Sequence, residues 1–402
     1  MRIDLKNSKN VISIIFIMLS ISGLIYLLSY YIYSVDHPIL ITISSDLEFE
    51  NYDFQGDGSI ENPYIIELRS FRLPDNALLE ERETIITIEW VTKNFIIRNN
   101  NFHLGNRGYG IYLNQISGNF IIEHNVFIGT DQYTSGTAIS LRNIESDIAV
   151  VSSNKVSTSS GFYFEDCHNL QVVNNTFQTI DWPRIDFCSN CTFSGNIVKD
   201  SVQPIEVYEC PNMMIEGNTF TNTIGSYKYF PYKYRSIWVN SPNTTIRNNI
   251  FELTGLEFSV QYAQSYVIEN NIVNGKPLGY FYNQTHLVVS DYDHYGQIIM
   301  LACNYSTIEH QKVEDTTIPI RLVGCLNCTC FNCTLIHNWA NGYIESSQNI
   351  TVLQCTIKNS ETGLYISGST VYLTNNLFQD LDDLMYIIAS ILYMSDNTIS
   401  LD

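Results

Sequence analysis

Beyond residue 90, apolar and polar residues alternate with a period of two in short runs, as in FIIRNN (95–100), FIIEHN (120–125) and QVVNN (171–175). Such runs predict strands that bury one face, and no long apolar stripe of helical period competes with them. The runs share a frame. Asn100, Asn125, Asn154, Asn175, Asn196, Asn218, Asn249, Asn271, Asn376 and Asn397 mark it, with Gln311, Cys333 and Cys355 at equivalent places and most steps 21 or 22 residues. Two residues after each mark stands an apolar side chain such as Phe102, Phe127, Val156, Phe177 or Phe220, and three before stands one such as Ile97, Ile122, Val172 or Ile215. This repeat predicts an all-β fold, a right-handed single-stranded parallel β-helix of about 12–13 coils with like residues stacked about 4.8 Å apart. The recurring Asn predicts a ladder of side-chain amides along one corner.

The segments outside the repeat divide the chain. Residues 11–35 carry 25 residues without a charge after MRIDLKNSKN, long enough for one membrane span. Arg2, Lys6 and Lys9 against Asp4 predict a cytoplasmic tail over 1–10 and an extracytoplasmic remainder, a single-pass cell-membrane arrangement, with a long cleaved signal peptide as the alternative that gives the same compartment. Residues 36–90 read as an N-terminal cap and approach to the helix, and 91–402 as the helix itself, with insertions at 128–137, 221–236 and 274–297. Eight N-x-S/T sequons, at Asn174, Asn190, Asn243, Asn283, Asn304, Asn327, Asn332 and Asn349, fit an exterior glycoprotein.

Composition narrows the partners. The 402-residue chain is 45% apolar, enough for a long core, and its formal charge of −20 excludes the basic surface that nucleic-acid binding requires. No phosphate-binding glycine motif, nucleophile elbow or cofactor motif occurs, and no cofactor is expected.

The stretch FQGDGSIENPYII (54–66), followed by FIIRNNNF (95–102), resembles the cap and first coil of the NosD-like right-handed β-helix family within the pectin-lyase-like group. The stretch Asn274–Ile308 is similar to that family's mid-helix insertion. The resemblance spans about residues 39–402 and implies the β-helix fold, carbohydrate-binding or sugar-hydrolase activity, and an association with copper-centre maturation. It is specific for fold and weak for chemistry.

The ten cysteines include two C-x-x-C pairs, Cys188/Cys191 and Cys325/Cys328. Their places in the frame favour packing: Cys167, Cys188, Cys210, Cys303 and Cys325 share a corner otherwise filled by small residues, and Cys191, Cys328 and Cys330 fall at core positions. Some could bridge neighbouring coils, since stacked Cα atoms lie within disulfide range. A soft-metal site of Cys167, His168, Cys188 and Cys210 is the alternative. The loop DFQGDGSIE (53–61) imitates the start of a calcium loop but lacks its third-position acid and its flanking helices, so a cap turn is expected.

Inward pairs on the first strand of each coil, read as Phe162/Phe164, Ile185/Phe187, Ile205/Val207 and Ile237/Val239, leave one outward residue between them. Down the stack that row reads Tyr112, Ser140, Tyr163, Asp186, Glu206, Trp238, Ser259, Ile299, Arg321, Tyr343, Tyr365 and Tyr386. Six aromatics on a solvent row predict a binding strip. The loops at 128–136, 179–184 and 221–236 leave the corner just before it, the last bearing Tyr229, Tyr232 and Arg235. Tyr163, Tyr208, Tyr229, Tyr232, Arg235 and Trp238 are the expected ligand contacts, for polysaccharide or glycoprotein. Asp186 and Glu206 in adjacent coils could instead act as a carboxylate pair of a glycan lyase or glycoside hydrolase. A non-catalytic structural or copper-maturation role is the third possibility. The chain finishes at SDNTISLD without a capping element, so end-to-end self-association through the C-terminal coil is expected.

Overall fold

A computed structural model describes residues 40–400 except 74–82, 106–107, 130–135, 159, 179–182, 202, 222–234 and 291–293. It is a parallel β-solenoid, and in the N-terminal coils each coil gives one strand to each of three sheets. The first sheet runs through nine strands from Ile41–Ile43 to Gly255–Phe258, the second from Tyr64–Glu67 to Val267–Glu269. Along both, neighbouring coils pair in parallel, as Ile205↔Ile237 and Val207↔Val239 show. The expected membrane segment and the Tyr-rich part of the 221–236 loop lie outside the described residues.

The predicted corner ladder is present. Asn196 Nδ2 donates to Val172 O at 2.8 Å and to Asn218 Oδ1 at 3.1 Å, while Asn196 Oδ1 accepts from Asn175 N at 2.9 Å. The same set links Asn100, Asn125, Asn154, Asn175, Asn196, Asn218, Asn249 and Asn271. Sulfur substitutes where the frame holds cysteine: Cys333 N donates to Cys355 Sγ at 3.4 Å, and Cys355 Sγ contacts Cys330 O at 3.5 Å. Each rung satisfies backbone groups that a buried corner would otherwise strand without water. Inside, like residues stack, as in Phe102 on Phe127 with centroids 4.5 Å apart and Phe220 on Phe251 at 5.2 Å.

The N-terminal end is closed. The 3-10 helix Asp46–Asn51 lays buried Phe49 on Tyr64, with ring centroids 4.5 Å apart. Asp46 accepts from Thr92 N at 2.7 Å and Lys93 N at 3.1 Å. Partial burial opposes its charge, but these bonds and the one from the Thr92 hydroxyl hold its carboxyl below the ordinary range. The 53–61 stretch is a turn: Asp57 accepts from Ser59 N and Asn62 Nδ2, and Gly56, at φ +102, has no room for a Cβ, which would lie 2.0 Å from Pro63 O.

At Asn274 and Gly275 the chain reverses. Ile272↔Pro277 and Val273↔Lys276 pair antiparallel, both turn residues having positive φ, as a tight hairpin requires. The strand Lys276–Tyr282, inside the stretch read as an insertion, then founds a second stack by pairing in parallel with Gln297–Leu301. Two cores result. Ile299, Leu301 and Val323 belong to the first core, whereas Ile298, Met300, Ile320 and Leu322, their neighbours in sequence, belong to the second. The outer face of the second stack therefore covers the open end of the first. Its side chains also satisfy the exposed strand edge there: Gln297 bonds both Leu256 N and Leu256 O at 3.0 Å, Arg321 Nη1 donates to Phe258 O at 2.8 Å, and Thr316 Oγ1 donates to Thr254 O at 3.0 Å. Ile299 and Arg321, expected on a solvent row, are buried at this junction for that reason.

Candidate functional site

Strand register sets two outward rows on the first sheet of the N-terminal stack. One holds Tyr112, Ser140, Tyr163, Arg184, Glu206, Trp238 and Glu257; the other holds Asn114, Arg142, Glu165, Asp186, Tyr208 and Asn240. This corrects the expected row in three places. Asp186 pairs with Glu165 and Tyr208, one step aside from Glu206, and Arg184 takes its place. Phe187 does not face inward: it sits at a left-handed corner with φ 55 and is exposed. Ser259 lies past the strand, and Glu257 is the residue aligned with Trp238. Ser140 is on the row but buried.

Arg184 joins what the register separates. Its Nε lies 3.1 Å from Asp186 Oδ2 and 3.4 Å from Glu206 Oε2. The two oxygens touch one nitrogen, so they are no farther apart than those distances combined, 6.5 Å. Asp186 is only 4% exposed although it belongs to the outer face. Burial raises its carboxyl above the ordinary range against the pull of Arg184, and Glu206 and Glu165 add to the rise. That bound takes in the roughly 5–5.5 Å of retaining glycosidases and falls short of most inverting ones, but both carboxylates are bridged by one guanidinium.

The aromatic members flank this triad. Arg142 lies over the Tyr163 ring, 5.1 Å from its centroid, and its Nε is 3.5 Å from Glu165 Oε2. Burial raises the Tyr163 hydroxyl, with Glu165 and Asp186 reinforcing the shift. Tyr208 meets Phe187 edge to face at 5.6 Å. Trp238 stands half-buried beside Glu206. The structure thus brings together Tyr163, Asp186, Glu206, Tyr208 and Trp238. Tyr229, Tyr232 and the Arg235 side chain lie outside the described residues. Arg142 and Arg184 were missed by sequence reasoning. Arg184 had a signal, since it stands twelve residues before Asn196, as Tyr163 does before Asn175 and Glu206 before Asn218.

The soft-metal alternative finds no convergent ligands. Cys167, Cys188 and Cys210 are buried in the corner, whereas His168 is exposed with Nδ1 2.6 Å from Ser189 Oγ. Among the described residues no group of three or more His, Cys, Asp or Glu is arranged to hold a metal ion. All ten cysteines are free and buried. Contacts with Cys167, Cys191 and Cys210 push the Cys188 thiol well up, while Cys325 lowers Cys328 to about 7.

With the coils and their register in place, comparison with known families becomes informative. A model described as the right-handed β-helix region matches residues 184–293 and 279–401, more than half of the chain. The chain belongs to the right-handed β-helix family. Among curated proteins no sequence matches it. Solved structures similar to this β-helix include the periplasmic alginate epimerase AlgG, at 12% identity and TM-score 0.33 over 85% of each chain. The Azotobacter vinelandii mannuronan C-5 epimerase AlgE6 A-module matches at 9% identity and TM-score 0.24, over 89% of this chain and 99% of its own. PfbA, a surface adhesin of Streptococcus pneumoniae, matches at 10% identity and TM-score 0.31, over 89% and 93%. At these scores the neighbours carry no argument about what this β-helix binds.

Proposed function

We propose that the protein is a membrane-anchored, extracytoplasmic β-helix that binds a polysaccharide along the outer face of its first sheet. The observation that carries the reading is the joint placement of Tyr163, Tyr208 and Trp238 around the Arg184–Asp186–Glu206 triad. Aromatic rings offer flat apolar platforms, and fixed carboxylates and guanidinium groups offer acceptors and donors for hydroxyls. Two features support the exterior location: the uncharged run at 11–35, and six sequon residues, Asn174, Asn190, Asn243, Asn283, Asn332 and Asn349, exposed at left-handed corners. A glycan array probed with the full-length chain tests the binding, followed by titration of the best ligand against Trp238→Ala and Tyr208→Ala. Losing Trp238 should weaken binding about tenfold or more. Unchanged affinity in both variants contradicts this placement.

Hydrolase or lyase chemistry is the second reading, favoured by the raised carboxyl of Asp186 next to Glu206. A copper-maturation role is not part of the proposal, because the thiols are inside and His168 is outside. Self-association through the last coil is part of it. There Ile387, Met394 and Ile399, which continue the inward stacks of Ile366, Leu373 and Phe378, are 46–48% exposed. Sedimentation velocity should show a dimer or larger species that Met394→Asp dissociates; a concentration-independent monomer argues against it.

A further inference from the structure

The corner that follows the first sheet carries a feature the outer face does not explain. In register from coil to coil, this corner reads Trp90, Gln115, Asn143, Asp166, Phe187 and Glu209, all with φ between 50 and 58. Left-handed backbone suits Asn and Asp, whose short side chains bond locally, and costs a bulky side chain about 1–2 kcal/mol. Trp90 takes this conformation and is 63% exposed, so it is strained and solvated together. The conformation is shared by the corners of the other coils, so what distinguishes Trp90 is a large ring held in solvent at one of them.

A cleft of about 260 Å³ opens beside Trp90, lined by Gln115, Ile116, Ser117, Asn143 and Glu145. Its polar wall is partly ordered: Asn143 Nδ2 donates to Asn114 Oδ1 at 2.9 Å, and Asn114 Nδ2 donates to Glu89 Oε1 at 3.1 Å. Gln115 Oε1 is buried and has no hydrogen-bond partner. A buried acceptor left unmade costs about 1–3 kcal/mol, which a ligand hydroxyl would recover. None of the lining residues is basic, and Glu145 is acidic, so an anionic ligand is disfavoured. The cleft is smaller than those that hold drug-sized molecules and matches a single ring bearing hydroxyls. Phe187, 48% exposed, stands on the same corner four coils away, about 19 Å at the strand spacing.

We infer that this corner is a second, separate carbohydrate subsite. It takes an uncharged pyranose ring stacked on Trp90 with a hydroxyl donating to Gln115 Oε1, and a neutral oligosaccharide continues along the corner toward Phe187. The Trp90 cleft shares no residue with the Arg184 triad, and only the far end of the corner, at Phe187, touches a flank of it, Tyr208, so loss at Trp90 leaves the first-sheet site in place.

The test is a calorimetric titration of the full-length chain with cello-, xylo- and mannohexaose, repeated with Trp90→Ala, Trp90→Phe, Gln115→Leu and Trp238→Ala. At least one neutral hexaose should bind. Trp90→Ala should weaken it about tenfold and Gln115→Leu about fivefold, while Trp90→Phe retains most of the affinity. Circular dichroism identical to wild type establishes that the variants are folded. Trp238→Ala should leave this binding in place. No binding of any neutral hexaose, or equal affinity in wild type and Trp90→Ala, overturns the inference. Loss in Trp238→Ala alone overturns it as well and leaves the first-sheet site standing.

Discussion

Asn196→Ala isolates one rung of the corner ladder. The substitution removes the side-chain acceptor of the buried Asn175 N–H, at 2.9 Å, and a side-chain donor to Val172 O, at 2.8 Å. Asn175 Nδ2 keeps Val151 O, and Asn218 Oδ1 keeps Asn196 N, so those groups are not stranded. One orphaned backbone N–H at about 1–3 kcal/mol, with the lost bond to Val172 O at about 1 kcal/mol, gives a loss of about 2–4 kcal/mol. In a stack of this size that lowers the midpoint of thermal unfolding by roughly 5–15 °C. The chain supplies its own control, because Cys355 fills the equivalent place and its sulfur reaches the same two kinds of backbone group. Asn196→Cys should therefore cost clearly less than Asn196→Ala. Near-ultraviolet circular dichroism on heating reads both. A loss below about 0.5 kcal/mol for the alanine variant, or equal losses in the two, would refute the ladder as a stabilising element.

Four other outcomes follow from the same contacts. Gln297→Ala removes both bonds to Leu256 at the junction edge and should cost about 2–4 kcal/mol; a change within ±0.5 kcal/mol in urea unfolding would deny the junction its closing role. Asp186 has a folded carboxyl raised by burial, so its favourable contribution is whole at pH below the unfolded value and is lost as pH rises through the folded one. Asp186→Asn should accordingly be stabilised relative to wild type at pH 7 but not at pH 3, and a gain independent of pH would contradict this. Native protein should react slowly with a bulky thiol reagent and release ten equivalents once unfolded, since every cysteine is free and buried; rapid native reaction of several thiols would be inconsistent with the corners described. Under the binding reading wild type yields no product from its glycan; if product forms and Asp186→Asn with Glu206→Gln abolishes it, the hydrolase or lyase reading takes over.

The sequence carried the coil period because the ladder demands one residue type at one corner, and packing demands apolar residues two after and three before it. It carried Tyr163, Glu206 and Trp238 for the same reason. Asp186 was misplaced because an apolar residue in an alternating run looks inward, whereas Phe187 has left the strand for a left-handed corner. Parity put Ile299 and Arg321 correctly on the outer face. Nothing local could show that this face covers the end of another stack, since that contact joins strands far apart in the chain. The Asn274–Gly275 pair carried a hairpin signal, but length suggested an insertion where the chain instead starts a new stack. Trp90 escaped notice because it falls between the outward row and the small corner residue Thr92, at a place in the coil that alternation does not mark.

The central claim, that the first sheet's outer face holds a glycan, is met most directly by hydroxyl-radical footprinting of the full-length chain with and without the best saccharide from the array. The account predicts protection of Tyr163, Tyr208 and Trp238, with Tyr372 and Tyr393, on the six-stranded sheet of the second stack, unchanged. A saccharide that binds without protecting those three residues, or an array on which nothing is retained, would contradict it.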